Sequence, residues 1–456
     1  MPDYDVAVIG GGPGGNAAAT AAAAEGASVV LIEAADVGGM CVHHACIPTN
    51  ILMNSAKSFV DAKEHDVLGV FEAGGQFNLG RAVARKDTLV AQLADGARMG
   101  LKAAKVEILK GHARFRDPQS IEISGADGRD ALSAGTYVIA AGTQWEKPAI
   151  KGVSAERILS ADEVQSLPVH PPAVVVISDG PADTAFGVEY AALLAIAGSD
   201  VVLATSRGRL LPALDEPLEQ VVVAGLADLG IRTVVGAAVS GDGATVTAAG
   251  AANSESLTSA VVVVPDVRTP FAASVAAPQA AGIATDGGAV TVDRGCRTNI
   301  ANVYAVGDVT GGSMLSSAAG HMGAVAGLNA TGGEARTRLS TLPHVVHSIP
   351  ELGWVGLSEE RARGQGIDVS CGMFDLGFNA RALTLGAKQG VVKVVSNPML
   401  GEILGAQSVG PETAEIVAVA AALIQAEVTV HDLASAIQWH PSVSEGLCQA
   451  AALAAK

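Results

Sequence analysis

The chain has 456 residues, enough for roughly three domains of ordinary size, and 49% of them are apolar. Its 29 basic and 46 acidic residues give a formal net charge of −17, which argues against nucleic acid or an anionic membrane as a partner. Five cysteines in so long a chain exclude a disulfide scaffold. They indicate a reducing, cytoplasmic setting, where a cysteine pair is more often catalytic or metal-binding than structural.

A glycine-rich turn near the N-terminus predicts the first binding site. Residues 4–33 have the pattern of a strand, a turn, an alanine-rich helix and a second strand. Gly10, Gly12 and Gly15 form GxGxxG, which permits a tight turn and close backbone approach to a pyrophosphate at the helix N-terminus. Glu33 ends the second strand, where a carboxylate accepts hydrogen bonds from a ribose diol. The segment predicts a dinucleotide-binding βαβ unit.

Residues 173–206 repeat this plan, so we expect a second nucleotide-binding domain. Its turn is altered: counting back from Gly187, Ala182 and Thr184 stand at the two earlier glycine positions. The strand that follows ends at Thr205, not at an acidic residue. Three polar residues follow this strand: Ser206, Arg207 and Arg209. They could bind a 2′-phosphate, or they could form a solvated loop at a fold that no longer binds nucleotide. We favour the solvated loop.

Cys41 and Cys46 lie five positions apart. Residues with this spacing rise about 7.5 Å along an ideal α-helix, whereas a disulfide needs Cα atoms within about 7 Å. The two can bond only where a helix begins or is distorted, and Pro48 suits such an N-terminal turn, where the helix dipole lowers a thiol pKa. We expect a redox pair. A metal site with His43 and His44, which point to different faces in a helical turn, and two inert thiols are the alternatives.

Several motifs in order resemble the flavoprotein disulfide reductases, and most of all their dihydrolipoamide dehydrogenase branch. They cover nearly the whole chain: GGGPGG, Glu33, GGMCVHHACIP, GHARFRDP, VIAAGT, TNIANVYAVGDVT, PELGWVGLSEE and HPSVSE. The resemblance implies an α/β fold with two Rossmann-like nucleotide-binding domains plus a C-terminal α+β dimerisation domain. Residues 1–150 and 278–340 would bind FAD, residues 151–277 would form an NAD(P)-binding-like domain, and residues 341–456 would form the dimer interface.

The same resemblance implies roles for individual residues around FAD. Cys46 would lie against the isoalloxazine as the charge-transfer thiol, and Cys41 would be the interchange thiol that meets the substrate. The implied cofactor-binding residues are Gly10, Gly12, Gly15, Glu33, Met40, Asn50, Ala113, Gly142, Asp308 and Met314.

His440 matches the acid–base histidine of this family, and Glu445 matches the carboxylate that orients it. A lone histidine before a proline would usually be structural, but a carboxylate five residues on can fix its tautomer and raise its basicity. In the family this pair serves the cysteine of the opposite subunit, so the resemblance implies a homodimer.

The chain departs from the family on the nicotinamide side. The family places a Lys four residues after its second Cys, where this chain has Asn50, although the family's partner for that Lys is retained as Glu189. Pro265 and Asp266 stand where a Gly would be expected. Together with the altered turn of the second βαβ unit, these substitutions make NAD(P)H a doubtful partner.

The expected function is therefore an FAD-dependent dithiol/disulfide oxidoreductase. It would exchange electrons between a small-molecule or protein-bound substrate, the Cys41–Cys46 pair and FAD. Three alternatives are open: a nicotinamide-independent dithiol oxidase using oxygen or another acceptor, a flavoenzyme acting on a non-disulfide substrate, and a non-catalytic metal-binding or scaffold protein. We expect no metal, nucleic-acid or membrane partner, and small core or surface roles for the remaining cysteines, Cys296, Cys371 and Cys448.

Overall fold

The computed structural model describes residues 2–63, 75–125, 131–180, 185–270, 277–387 and 389–456. Within these ranges the α-helices are α1 Pro13–Ala24, α2 Gly39–His43, α3 Cys46–Lys63, α4 Leu79–Ala103, α5 Ala161–Val164, α6 Phe186–Ala197, α7 Glu216–Asp228, α8 Ser316–Ala330, α9 Glu359–Gly364, α10 Ala380–Thr384, α11 Thr413–Gln425, α12 Val430–Ser435 and α13 Glu445–Ala454.

The β-strands are short, and most are apolar. They are β1 Tyr4–Ile9, β2 Val29–Glu33, β3 Glu107–Lys110, β4 His112–Asp117, β5 Ser120–Ser124, β6 Ala131–Ile139, β7 Thr143–Trp145, β8 Ile158–Leu159, β9 Ala173–Ile177, β10 Asp200–Thr205, β11 Arg232–Val235, β12 Ala238–Gly241, β13 Thr245–Ala249, β14 Ser254–Thr258, β15 Val261–Val263, β16 Arg268–Pro270, β17 Thr285–Asp286, β18 Ala289–Val290, β19 Val303–Ala305, β20 His344–Val346, β21 Leu352–Gly356, β22 Ser370–Asp375, β23 Val391–Ser396 and β24 Ile403–Val409.

The chain folds into two compact units, each assembled from separate stretches of sequence. The first contains residues 1–51, 83–146 and 267–339, and the second contains residues 52–82, 147–266 and 340–456.

A twisted sheet forms the centre of the first unit. Its strand order is β3-β2-β1-β6-β5-β4, with β19 pairing in parallel with β6. The central strands consist of consecutive apolar residues because helices and loops cover both faces of the sheet. On one face α1 and α8 approach very closely: a Cβ added at Gly323 would overlap the carbonyl oxygen of Gly14, and one added at Gly327 would overlap that of Ala18. This packing fixes the start of α1 at the carboxyl end of β1.

The second unit contains two larger sheets. The parallel sheet β11-β10-β9-β15-β8 has α6 between β9 and β10, which is the second βαβ unit expected from the sequence. The antiparallel sheet β20-β21-β24-β23-β22 shares an apolar core with α11 and α13. A three-stranded antiparallel sheet, β12-β13-β14, completes the unit. The predicted fold class is confirmed, while the three-domain boundaries stay a prediction.

A buried ion cluster holds three segments of the second unit together. The Lys393 ammonium donates to Asp215 (2.8 Å) and Glu359 (2.7 Å), and the Lys393 and Asp215 side chains are almost fully buried. Asp215 also accepts hydrogen bonds from the backbone N–H groups of Glu359 and Glu360 at the start of α9. Because these charges are paired away from water, removing one partner leaves an uncompensated buried charge.

No helix in the described ranges combines the length and the apolarity that a membrane span requires.

Candidate active site

The turn between β1 and α1 is a cradle that excludes side chains. Gly10 has φ +104°, and a Cβ there would overlap the Ala140 carbonyl; a Cβ at Gly15 would overlap the Gly10 carbonyl. Gly12 is the N-cap of α1, and a Cβ on Gly39 (φ +54°) would lie 2.7 Å from the Gly12 Cα. The backbone N–H groups at this helix start can therefore be approached closely by a phosphate.

Glu33 closes the same turn at the end of β2. One carboxylate oxygen accepts from the Gly11 N–H (2.6 Å), and the other accepts from the Ala35 N–H (2.8 Å). A groove of about 510 Å³ opens beside the turn, lined by small residues that include Asn16 and Thr20 of α1. These contacts fix the carboxylate at the position predicted for recognition of a ribose diol.

Asp308 lies in the turn Gly307–Thr310 that follows β19. Its carboxylate accepts from Thr143 (3.4 Å) and from Arg268 (3.1 Å). Burial raises the pKa of the Asp308 carboxyl, and the Arg268 charge and the Thr143 hydroxyl offset part of that rise. The carboxylate is thus held beside a buried cation that the sequence did not reveal.

Arg268 belongs to β16, which pairs antiparallel with β7. Its side chain is only 5% exposed, donates to the Met314 carbonyl oxygen (3.0 Å), and lies over the Trp145 ring at 5.2 Å from the ring centroid. The residue is 40 positions from Asp308 in sequence, so no local spacing pointed to this pair.

The other predicted cofactor residues also lie in the first unit. Gly142 (φ +72°) follows β6, and Met314 adopts φ +57° just before α8. Ala113 is buried in β4, Met40 lies in α2, and Asn50 lies in the second turn of α3. The structure places all ten predicted cofactor residues in the first unit.

Cys41 and Cys46 are brought into contact by a break in the helix. The short helix α2 ends at His43, His44 leaves the helical conformation, and α3 begins at Cys46. Both side chains are free thiols, and each changes the pKa of the other. The pair thus lies at a helix start, as the five-residue spacing requires for a disulfide, while the disulfide itself stays a prediction.

The pKa values of the two thiols are shifted in opposite directions. The hydrogen bond from Cys41 is the main cause that lowers the pKa of Cys46 to about 6; Ser316 and the Arg268 charge lower it further, although burial opposes them. The same thiol–thiol bond, burial and the Cys46 charge raise the pKa of Cys41. Cys46 is therefore the thiolate of the pair near neutral pH.

Ser316 is a site residue that the sequence did not indicate. It is the first residue of α8, and its hydroxyl lies 3.7 Å from the Cys46 Sγ. Because 270 positions separate the two residues, only the fold brings them together.

Within the part of the chain that the structure describes, the two histidines between the cysteines join no cluster that could hold a metal ion. The Nε2 of His43 lies 3.0 Å from the Val37 carbonyl oxygen, and the rings of His43 and His44 are 5.9 Å apart. Across the described residues no group of three or more His, Cys, Asp or Glu side chains is arranged to hold a metal ion.

The other cysteines lie in environments that disfavour a thiolate. Burial raises the pKa of Cys296 to about 12 and that of Cys371 to about 11, and burial also raises the pKa of Cys448. Cys296 donates its S–H to the Met322 carbonyl oxygen (3.5 Å). A thiol held protonated is a poor nucleophile, which separates these three from Cys46.

His440 and Glu445 meet in the second unit as predicted from their spacing. The His440 Nδ1 lies 2.9 Å from the Glu445 carboxylate, whose other oxygen accepts from the Ser442 N–H (2.9 Å). The Ser442 bond, followed by His440, lowers the pKa of Glu445. The imidazole is thereby oriented, yet its side chain is 70% exposed, and the preceding Trp439 is 81% exposed.

The helix start of the second βαβ unit is occupied by the chain's own carboxylate. Asp266, only 3% exposed, accepts from the Gly187 N–H in the first turn of α6 and from the Ser178 hydroxyl, both at 3.3 Å. The substitutions at Ala182 and Thr184 lie outside the described residues.

A second carboxylate occupies the end of β10. Asp179 accepts from the Thr205 hydroxyl (2.8 Å) and the Ser206 N–H (2.7 Å). The Arg209 guanidinium, considered above for a 2′-phosphate, is bound to Glu219 and Glu360, each at 2.6 Å. These internal contacts use the groups that would receive the ribose and phosphate of a dinucleotide.

Glu189 of α6 is likewise engaged within the second unit. It is buried, and its carboxylate accepts from the His347 N–H at 2.6 Å. The acid retained from the family pattern thus has a structural hydrogen bond of its own.

Comparison with protein families gives two matches along the chain. Residues 4–323 match the model described as pyridine nucleotide-disulphide oxidoreductase, and residues 342–451 match the dimerisation domain of the same family.

Known proteins of similar length resemble the whole chain. It is 34% identical over 461 residues to dihydrolipoyl dehydrogenase of Thermus scotoductus, which covers 99% of this chain and 97% of the relative. Over 450 residues it is 31% identical to dihydrolipoyl dehydrogenase of Bacillus subtilis, with coverages of 98% and 97%.

Two solved structures share the fold. The HOCl-induced flavoprotein disulfide reductase RclA of Escherichia coli superposes with a TM-score of 0.84 at 25% identity, covering 99% of this chain and 100% of that one. LpdA of Mycobacterium tuberculosis gives a TM-score of 0.87 at 26% identity, with coverages of 98% and 99%.

Proposed function

We propose that this chain, which belongs to the pyridine nucleotide-disulphide oxidoreductase family, oxidises a dithiol without a nicotinamide dinucleotide as its electron partner. It is an FAD-dependent disulfide oxidoreductase, an enzyme acting on sulfur groups. The observation that carries the proposal is the hydrogen bond from the Gly187 N–H to Asp266, because it places a carboxyl side chain of the protein itself where a dinucleotide pyrophosphate would bind.

The first unit fits FAD. The glycine turn offers N–H groups without steric hindrance, Glu33 suits the ribose, and Asp308 is a fixed carboxylate that can accept from hydroxyl groups. We assign the ten cofactor residues named above to FAD, with residues 1–150 and 278–340 as its domain. Residues 151–277 would keep a nucleotide-binding fold that does not bind its ligand, and residues 341–456 would form the dimer interface.

The Cys41–Cys46 pair would carry out the exchange with substrate. A substrate thiolate attacks the Cys41 Sγ of the pair's disulfide, the Cys41–Cys46 bond breaks, and Cys46 leaves as the thiolate, which its lowered pKa favours. The second substrate thiol then attacks the mixed disulfide, releasing the oxidised substrate and the Cys41 thiol. Reformation of the Cys41–Cys46 disulfide removes two electrons, and FAD when bound supplies their acceptor.

His440 would accept the proton from the attacking substrate thiol and return it to the Cys41 sulfur. The Glu445 carboxylate at Nδ1 leaves Nε2 as the free basic nitrogen of a neutral ring. We place this histidine at the cysteine pair of a partner subunit in a homodimer. The exposed His440 and Trp439 in the region matched by the dimerisation domain support that arrangement.

The nicotinamide side opposes dinucleotide binding in two places. The Asp266 and Asp179 side chains lie at the helix start and the strand end, and they already accept from the Gly187 and Ser206 N–H groups there. Electrons would leave FAD for oxygen or another acceptor that does not need this fold. The relatives named dihydrolipoyl dehydrogenase make a lipoyl-type dithiol, free or protein-bound, the first substrate to test.

Anaerobic mixing of holoenzyme with dihydrolipoamide tests the thiol path. We expect loss of the oxidised flavin absorbance in the parent protein and in Cys371→Ser, which changes a thiol outside the site. Cys41→Ser should leave the flavin oxidised. Flavin reduction by Cys41→Ser at the parent rate would show that the substrate does not react through this pair.

A further inference from the structure

A buried cation lies next to the redox thiols without belonging to their helix. In α3 the first basic residue after Cys46 is Lys57, about three turns away, and Asn50 is neutral. Arg268 instead comes from β16, and its guanidinium is buried against Asp308, the Met314 carbonyl and the Trp145 ring.

These contacts connect Arg268 to the thiols through the backbone. Met314 adopts a left-handed conformation, φ +57°, which costs a non-glycine residue free energy unless its surroundings hold it. The Arg268 hydrogen bond to the Met314 carbonyl holds this residue, and two positions later Ser316 begins α8 with its hydroxyl 3.7 Å from the Cys46 Sγ.

We propose that Arg268 is a positioning residue that favours Cys46 as the anionic thiol of the pair. It does so by fixing the Met314–Ser316 turn against Cys46 and by supplying a permanent buried positive charge. The proposal rests on Cys41 and Cys46 being the redox pair, as in the proposed function.

The charges around the pair agree with this role. Besides burial and the backbone hydrogen bond at Cys46, the groups that act on the two sulfurs are the other thiol, the Ser316 hydroxyl, the Arg268 guanidinium and the Asp308 carboxylate. The Arg268 charge lowers the pKa of Cys46, whereas the Asp308 charge raises the pKa of Cys41. The Arg268–Asp308 ion pair therefore shifts the pKa values of the two thiols in opposite directions. This favours Cys46 as the leaving thiolate.

The test measures the apparent pKa of Cys46 directly in holoenzyme. All variants carry Cys41→Ser, and the rate of Cys46 alkylation by iodoacetamide is followed against pH by peptide mass spectrometry. We expect Arg268→Gln to raise the apparent pKa by about one unit, a tenfold loss of thiolate below that pKa. Arg268→Lys keeps the positive charge, so it should raise the apparent pKa of Cys46 by less than half as much as Arg268→Gln does. The matched control is Arg116→Gln, an exposed arginine of β4, which should not change it.

An unchanged Cys46 pKa in folded Arg268→Gln would overturn the proposal, as would an equal rise in Arg268→Lys. Asp308→Asn keeps Arg268 and removes the neighbouring anion, so it should leave the Cys46 pKa unchanged or lower it. A rise in that variant would also contradict the proposal, even if Arg268→Gln does not fold. The alkylation rate involves no nicotinamide, so a negative result here leaves the proposed electron partner untouched.

Discussion

Asp266 accepts a hydrogen bond of 3.3 Å from the Gly187 N–H, at the first turn of the helix that would otherwise receive a pyrophosphate. The same carboxylate oxygen lies 3.3 Å from the Ser178 hydroxyl. In a nucleotide-binding fold this helix start is the main anion site, because N–H groups there have no partner within the helix. In this chain a side chain of the protein itself accepts the hydrogen bond of that N–H group.

The glycine turn of the first unit should be indispensable for FAD retention. Gly15→Ala would force a Cβ into the Gly10 carbonyl, so we expect purified protein with little or no bound flavin. Gly100→Ala is the matched control, since a Cβ on that α4 residue meets no atom within 4 Å. The ratio of flavin to protein absorbance measures both. Full flavin occupancy in Gly15→Ala would contradict the assigned cradle.

The lowered pKa of Cys46 predicts a pH-dependent spectrum. Cys41→Ser removes the thiol that is the main cause of this lowering, but the Ser316 hydroxyl and the Arg268 charge remain, so Cys46 should still ionise and give a long-wavelength charge-transfer absorption beside FAD. A thiol is protonated as pH falls, so the band should be present above the midpoint and lost below it. Cys46→Ser should lack the band at every pH. A charge-transfer band of the same strength in Cys46→Ser would show that Cys46 is not the thiol beside the flavin.

His440 should act across the dimer. His440→Gln is expected to slow dithiol oxidation by about 10²–10⁴-fold, the usual contribution of a positioned acid–base group. Mixed dimers of Cys41→Ser and His440→Gln contain one site with both native groups if the histidine serves the partner's thiol. We therefore expect mixing the two inactive variants to restore up to half the parent activity per such dimer. No recovery, with dimer exchange demonstrated by mass, would place both groups in the same subunit.

The buried ion cluster predicts a loss of stability. Lys393→Met leaves Asp215 buried without its cation, at a cost of about 3–5 kcal/mol in the free energy of unfolding. Lys151→Met, at an exposed position, is the control and should change little. Urea denaturation followed by circular dichroism measures both. Equal midpoints for the two variants would contradict the prediction.

Acid should reduce the difference in unfolding free energy between the parent protein and Lys393→Met. The hydrogen bond from Lys393 is the main cause that holds the pKa of Glu359 at about 2, below its ordinary 4.5. A carboxyl with a depressed folded-state pKa stabilises the fold above its unfolded pKa and loses that contribution as pH falls through the folded value. The stability gap between parent and Lys393→Met should therefore narrow between pH 4.5 and 2.

Local patterns predicted the elements whose partners are close in sequence. The GxGxxG spacing located the first turn, the five-residue cysteine spacing required a helix break, and the spacing from His440 to Glu445 anticipated their contact. Each depends on geometry within one turn or one βαβ unit, where residue type and spacing are sufficient.

Contacts between segments that are distant in sequence could not be predicted from residue spacing. Ser316 meets Cys46 across 270 positions, and Lys393 meets Asp215 across 178. An Asp at position 266 was visible as a departure from the family, but its bond to the N–H of Gly187 depends on where β15 ends and α6 begins. Register and packing, which only the fold fixes, decide such pairs.

Anaerobic titration of the holoenzyme with NADH and with NADPH tests the central claim most directly. The flavin absorbance is followed after each addition, and dihydrolipoamide is added last to show that the same flavin can be reduced. We predict no change with either nucleotide and reduction by the dithiol, because under the proposed function Asp266 and Asp179 accept from N–H groups that a dinucleotide would need. Rapid reduction by NADH or NADPH would contradict the account.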